Sequence, residues 1–159
     1  MNIVVLGAGS IGCYIAGCLF ESGPAFNSSN TLKLIGRQRL YDDIVANGLK
    51  VTDWQGRNQV TDADHVNFSL NNDSLAIADF ILLCVKSQDT EQAADIIKLW
   101  AKPSAVVISL QNGVINAQVL RQKLNQTVIA GMVPFNVLYK AHGHFHCGTE
   151  GNIALEDPD

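Results

Sequence analysis

The sequence has no block of basic residues, no paired cysteines and no long apolar run, and each absence removes a class of function. Eleven Lys and Arg stand against fifteen Asp and Glu, for a formal net charge of −4. That balance argues against nucleic acid or an anionic membrane surface as a main partner. No stretch approaches the roughly 18 apolar residues that a membrane-spanning helix needs. The N-terminus enters "NIVVLG" directly, with neither a basic n-region nor a long h-region, so no signal peptide is expected. Cys13, Cys18, Cys84 and Cys147 form no CxxC pair. Cys13 falls in a helical pattern and Cys84 in a strand, as small buried hydrophobes of a reduced, cytoplasmic protein would. Internal repeats and low-complexity segments are also missing.

What remains is a soluble globular chain of 159 residues, 47% hydrophobic and 16% charged. That length supports one domain with a sizeable core and is too short for two ordinary ones. Strand and helix patterns alternate. "NIVVLG" (2–7) is a β-rich run, "SIGCYIAGCLFESG" (10–23) has helical spacing and ends at Gly23 and Pro24, and "PAFNSSN" is loop chemistry. "TLKLIG" (31–36) is a second strand, and "RQRLYDDIVANG" (37–48) a helix stopped by Gly48. "LKVTDW" and "RNQVTDADHVNFSL" alternate around "QG" (55–56), which predicts an antiparallel hairpin. "ADFILLCVK" is a buried strand, and "DTEQAADIIKLWA" (89–101) an amphipathic helix with Ile96, Ile97 and Trp100 apolar. "AVVISLQNG" (105–113) is a strand ending in a polar-glycine turn, "INAQVLRQKL" a helix and "QTVIAGMVPFNVLY" strand-rich, with short antiparallel strands at the end. This order predicts an α/β, Rossmann-like, doubly wound and mostly parallel sheet, with helices on both faces and an antiparallel C-terminal edge.

"GAGSIG" (7–12) fits G-x-G-x-x-G, follows a strand and opens a helix. Gly7 permits the tight turn, Gly9 lets a pyrophosphate approach the backbone, and Gly12 lets the helix pack closely on the strand. The helix start then offers N–H groups and a positive dipole end to phosphates. An NAD site wants a carboxylate after the second strand, but that strand ends "LIGRQR". Arg37 there can pair with a 2′-phosphate through its planar fork, with Arg39 as a second contact, so the expected cofactor is NADP(H). Both arginines also fit exposed positions at a helix start.

Two later strands end in polar residues on the same carboxyl edge: "ILLCVKSQ" with Lys86, and "VVISLQNG" with Gln111 and Asn112. A solvated lysine, or a favoured Asn-Gly turn, would explain either one alone. Both occur at the edge that carries the glycine loop, where open α/β sheets bind ligands, and this marks them as site residues.

"GAGSIG", "GR" after the second strand, "NGLKV", "DFILLCVKSQDTEQA", "LQNGV" and "GHFHCG" occur in an order that resembles the ketopantoate reductase (2-dehydropantoate 2-reductase) family over nearly the whole chain. The resemblance implies NADPH-dependent reduction of the small-molecule 2-oxo acid ketopantoate to pantoate, in pantothenate and coenzyme A synthesis. It implies that Gly7, Ala8, Gly9, Ser10, Ile11 and Gly12 hold the pyrophosphate and Arg37 the 2′-phosphate. Lys86 would reach the ribose and nicotinamide side, Asn112 the nicotinamide ribose and the substrate, and Val137 the cofactor through its backbone. Lys86 and Asn112 are thus also the expected substrate contacts. The family's general-acid lysine belongs to a helical second domain. Residues 1–159 are therefore expected to form the NADP-binding domain alone, with no catalytic residue of their own and no turnover. Lys140 lies too early to be that lysine, and the loop "PAFNSSN" is longer than usual. A homodimer stays open. So do two alternatives: a reductase of another 2-oxo acid, and a non-catalytic NADP-binding or sensing module.

Other signals were weaker. In "HGHFHC" a strand would point His142, His144 and His146 to one face beside Cys147. Residues along one strand converge poorly on a tetrahedral ion, so no metal is expected. Asp42, Asp43, Asp62, Asp64, Asp73 and Asp89 read as solvated faces, turns and helix caps.

Overall fold

The computed structural model describes residues 1–21, 30–113 and 115–157. Gly23, Pro24 and most of "PAFNSSN" lie outside them.

Short β-branched runs build the main sheet from β1 (Asn2–Leu6), β2 (Thr31–Ile35), β5 (Phe68–Ser69), β6 (Phe80–Leu83), β7 (Val106–Ser109), β8 (Thr127–Met132) and β11 (Ala154–Leu155). Their spatial order is β11-β8-β7-β6-β1-β2-β5. Every neighbouring pair is parallel except β11 on β8. The chain winds outward in both directions from β1, so the switch point lies beyond the carboxyl ends of β1 and β6.

Because side chains alternate along each strand, the sheet has an apolar layer on each face. Val4, Leu6, Ile81, Leu83 and Val107 join Ala93, Ala94 and Ile97 of α3 (Thr90–Trp100) and Leu120 of α4 (Ile115–Lys123). Val5, Leu34 and Leu82 face the other way, with Cys13, Ile15 and Ala16 of α1 (Ser10–Glu21) and Ile44 of α2 (Gln38–Asn47). Gly48, at φ +74, closes α2 as expected. The helix over 90–100 buries Ile97, but Trp100 is 41% exposed and Leu99 78%. The last turn of α3 thus runs past the edge of the core.

The predicted hairpin is present, with β3 (Leu49–Asp53) antiparallel to β4 (Asn58–Thr61). It belongs to a second sheet of order β4-β3-β10-β9, with β9 at Val137–Ala141 and β10 at His144–Cys147. β10 runs parallel to β3 and antiparallel to β9, so the C-terminal strands are not all antiparallel. The three histidines do not share one strand. His142 sits in the β9–β10 turn at φ +51, and only His144 and His146 share a strand. Thr52 Oγ1 lies 2.8 Å from a ring nitrogen of each. Among the described residues, no group of three or more His, Cys, Asp or Glu could hold a metal ion.

Helix α1 packs against β1 and β2 on one side and against all four strands of the small sheet on the other. A Cβ on Gly17 would lie 2.3 Å from Val51 Cγ1, so the helix meets β3 at a distance only glycine allows. No described helix is long and apolar enough to cross a membrane.

Candidate functional site

Three strand ends meet at the switch point, and the loops leaving them form one cleft of about 430 Å³. Gly7, Ala8, Gly9 and Ser10 follow β1, Gly36 and Arg37 follow β2, and Cys84, Val85 and Lys86 follow β6. Arg39, Leu40 and Asp43 of α2 form one wall, with Gln88, Asp89, Tyr139 and Phe145 completing it.

Each glycine of the loop has its own geometric reason. Gly7 takes φ +103, and a Cβ there would lie 2.7 Å from the Val85 nitrogen. A Cβ on Gly12 would lie 2.4 Å from the Gly7 carbonyl oxygen. Around Gly9 no atom stands within 4 Å of a Cβ position, so that face is open to the cleft. The Gly7 and Ala8 amides both donate to Ile35 O, which ties the loop to the end of β2. The first helical bond of α1 runs from Cys13 N–H to Gly9 O, leaving the amides of Ser10, Ile11 and Gly12 ahead of it. No acidic residue occupies the first turn of α1. The positive end of the helix therefore faces the cleft without a carboxylate of its own.

Arg37 is at the N-cap position of α2, its side chain 91% exposed, with Nη2 3.9 Å from Asp89 Oδ2. Asp43 lines the same wall and accepts a hydrogen bond from the Tyr139 hydroxyl. Two of the acidic residues expected on solvated faces and caps thus stand in the cleft. Asp89 occupies the N-cap position of α3 without a side-chain capping bond. Lys86 is exposed at the rim, ahead of a 3₁₀ turn at Ser87–Asp89. Cys84 is among the lining residues, and burial pushes its thiol up to about 12, which disfavours the thiolate there.

Asn112 is exposed beyond β7, outside the cleft lining, and its backbone carbonyl accepts from Asn116 Nδ2 at 2.6 Å. Val137 begins β9 in the small sheet and is likewise not among the lining residues.

This arrangement can be set against known proteins. Residues 3–159 match the family model described as ketopantoate reductase PanE/ApbA. The chain belongs to the ketopantoate reductase family. A 2-dehydropantoate 2-reductase from Halobacterium salinarum is 32% identical over 133 residues, covering 82% of this chain and 41% of that protein. The crystal structure of a PanE/ApbA family ketopantoate reductase from Ralstonia eutropha JMP134 superposes with a TM-score of 0.83 at 35% identity, covering 98% of this chain and 49% of that one. The chain thus spans about half the length, or less, of these relatives. A D-mandelate dehydrogenase in a ternary structure with NADH and anilino(oxo)acetate shares the fold, with a TM-score of 0.73 at 20% identity over 98% of this chain and 47% of that one.

Within this ketopantoate reductase domain, sequence reasoning missed Asp43, Tyr139 and Phe145 as parts of the cleft. For Asp43 a signal existed, since it follows Arg39 by four residues and one helix face carries both. Tyr139 and Phe145 carried none, because only the pairing of β10 with β3 brings them to the site.

Proposed function

We propose that this chain is the NADP(H)-binding portion of a reductase that converts 2-dehydropantoate to pantoate. The observation that carries the proposal is the cleft itself. An open glycine face and the start of α1, with no acidic residue in its first turn, suit a pyrophosphate, and an exposed Arg37 suits a 2′-phosphate. Gly9 would admit the pyrophosphate, and the amides of Ser10, Ile11 and Gly12 would donate to its oxygens. Arg37, seconded by Arg39, would pair with the 2′-phosphate. Of the carboxylates on that wall, Asp43 is engaged by Tyr139, and Asp89 balances Arg37 until an anion replaces it. Lys86 at the rim would orient the nicotinamide-side ribose and the substrate, with Asn112 as its counterpart beyond β7. The cofactor, when bound, supplies a hydride to the 2-oxo carbon. No described group here is assigned the proton-donating role, which in the family belongs to a second, helical domain, so this portion alone is expected to bind without turnover.

The D-mandelate dehydrogenase shares the fold while holding NADH and anilino(oxo)acetate, so side chains, not the fold, choose cofactor and substrate. Titration of the chain with NADPH and with NADH tests the proposal. NADPH should bind tighter by roughly tenfold to a hundredfold, from ~1.5–3 kcal/mol for hydrogen bonds to a charged group, and Arg37→Ala should abolish the difference. Equal affinities in the unsubstituted chain would remove the 2′-phosphate assignment.

A further inference from the structure

Beneath Lys86 and Asn112 lies a buried polar network, Gln111, Thr90, Ser109 and Asn116, whose side chains are not among those lining the cleft. Gln111 is 5% exposed, Thr90 2%, Ser109 2% and Asn116 7%. Gln111 Nε2 donates to Val85 O at 3.1 Å and to Thr90 Oγ1 at 2.8 Å, with Lys86 O at 3.5 Å. Its Oε1 accepts from Ser109 Oγ at 3.2 Å. Thr90 Oγ1 lies 2.8 Å from Ser87 O and 3.1 Å from Asn116 Oδ1. Asn116 Nδ2 reaches Ser87 Oγ at 2.9 Å and Asn112 O at 2.6 Å.

The backbone carbonyls of Val85, Ser87 and Asn112 belong to the two loops that leave β6 and β7. Each is held by an amide or hydroxyl from the other loop or from the helix that follows. Backbone carbonyls taken out of water need such donors, and apolar side chains at these positions would supply none. The arrangement fixes one loop against the other, since a shift of Lys86 relative to Asn112 would break several bonds together.

We infer that Gln111, acting with Thr90 and Asn116, is a positioning residue that sets the spacing of Lys86 and Asn112 for the nicotinamide end of the cofactor. The inference rests on the functional reading above and deepens it. Gln111 acts through the loops and touches no reacting atom, so the adenosine end of the cleft should not register its loss.

Two ligands separate the ends of the site: NADPH, which spans it, and adenosine 2′,5′-bisphosphate, which reaches only the glycine loop and Arg37. Gln111→Met should weaken NADPH by about tenfold and change the bisphosphate by less than about twofold, the scale expected for one buried hydrogen-bonding group. Thr90→Val should do the same, and Thr90→Ser, which keeps the hydroxyl, should bind as the unsubstituted chain does. Amide hydrogen exchange across residues 85–89 should quicken in Gln111→Met and Thr90→Val without ligand, and remain slow in Thr90→Ser. Parallel loss of both ligands would mean a general structural role and overturn the inference, as would unchanged NADPH affinity. If Gln111→Met does not fold, the Thr90→Val and Thr90→Ser pair decides alone. If the unsubstituted chain binds neither ligand, the functional reading fails. Exchange across 85–89 then still decides whether Gln111 holds the loop, and unchanged rates overturn it.

Discussion

Arg37 Nη2 and Asp89 Oδ2 stand 3.9 Å apart, joining the start of α2 to the start of α3 at the cleft. The arginine expected to grip a phosphate is thus already balanced by a carboxylate. An exposed pair of this kind is worth only ~0.2–1 kcal/mol, far less than a doubly charged phosphate offers Arg37. Asp89→Asn removes the competitor and should tighten NADPH by about 1.5- to 5-fold on that scale. NADH, with no 2′-phosphate, should change little. Calorimetry with both nucleotides checks this, and weaker NADPH binding in Asp89→Asn would show that the carboxylate serves the ligand.

Two glycines of one loop should respond oppositely to alanine. Gly12→Ala drives a methyl against the Gly7 carbonyl, a backbone atom that cannot swing away, and should cost roughly 1–3 kcal/mol of stability. Gly9→Ala meets nothing within 4 Å, so stability should stay within about 0.5 kcal/mol while NADPH binding collapses. Urea melts paired with NADPH titrations separate the two. A large stability loss in Gly9→Ala would contradict the open face.

Asp79 carries a pH prediction. Hydrogen bonds from the Lys102 ammonium at 2.6 Å and the Asn2 amide at 2.7 Å hold its carboxyl below the ordinary range. A depressed carboxylate stabilises the fold above its unfolded pKa, and that contribution disappears as pH falls through the folded value. Asp79→Asn should therefore melt lower than the parent near neutrality, with the gap closing in acid. Melting temperatures measured from pH 7 down to pH 3 test the sign, and a constant gap would mean the carboxylate's charge was irrelevant.

Cys84 borders the cleft yet should resist alkylation. With its thiol pushed up to about 12 by burial, almost none is thiolate at mildly alkaline pH. Mass spectrometry after iodoacetamide should show Cys84 modified only in denatured protein. Rapid labelling of the native chain would show that the thiol is reachable and ionises more readily than its burial implies.

Much of the main sheet was legible from local pattern. Five-residue apolar runs closed by glycine mark β1 and β2, and "QNG" marks the end of β7 because a polar turn must interrupt an otherwise apolar strand. Of the second sheet, the hairpin and the short antiparallel strands near the end were legible, but not that they join. Its other half arrives from residues 137–147, and nothing local says that His144 pairs with Lys50. The three histidines misled for a related reason. Alternation at 142, 144 and 146 looks like one strand, but a left-handed turn at His142 and Gly143 takes the first of them out of register. That Lys86 and Arg37 line one cleft was legible because strand ends at a switch point are few. Thr90 and Asn116 were not, since a helix residue that bonds backward into a loop has no sequence signature of its own.

Helix α1 is walled by both sheets, and the second wall is finished by β10, which begins at His144, far along the chain from the helix start at Ser10. Contacts that distant in sequence form slowly, because the loop they close must first be ordered. During synthesis the glycine loop is therefore expected to wait, its helix covered on the second flank by the β3–β4 hairpin alone, until His144–Cys147 slots between β3 and β9. Nucleotide-binding competence should appear late and abruptly along the growing chain. Ribosome-bound nascent chains of increasing length would show it as a step once Cys147 clears the exit tunnel, well after every strand beside the phosphate loop has been made.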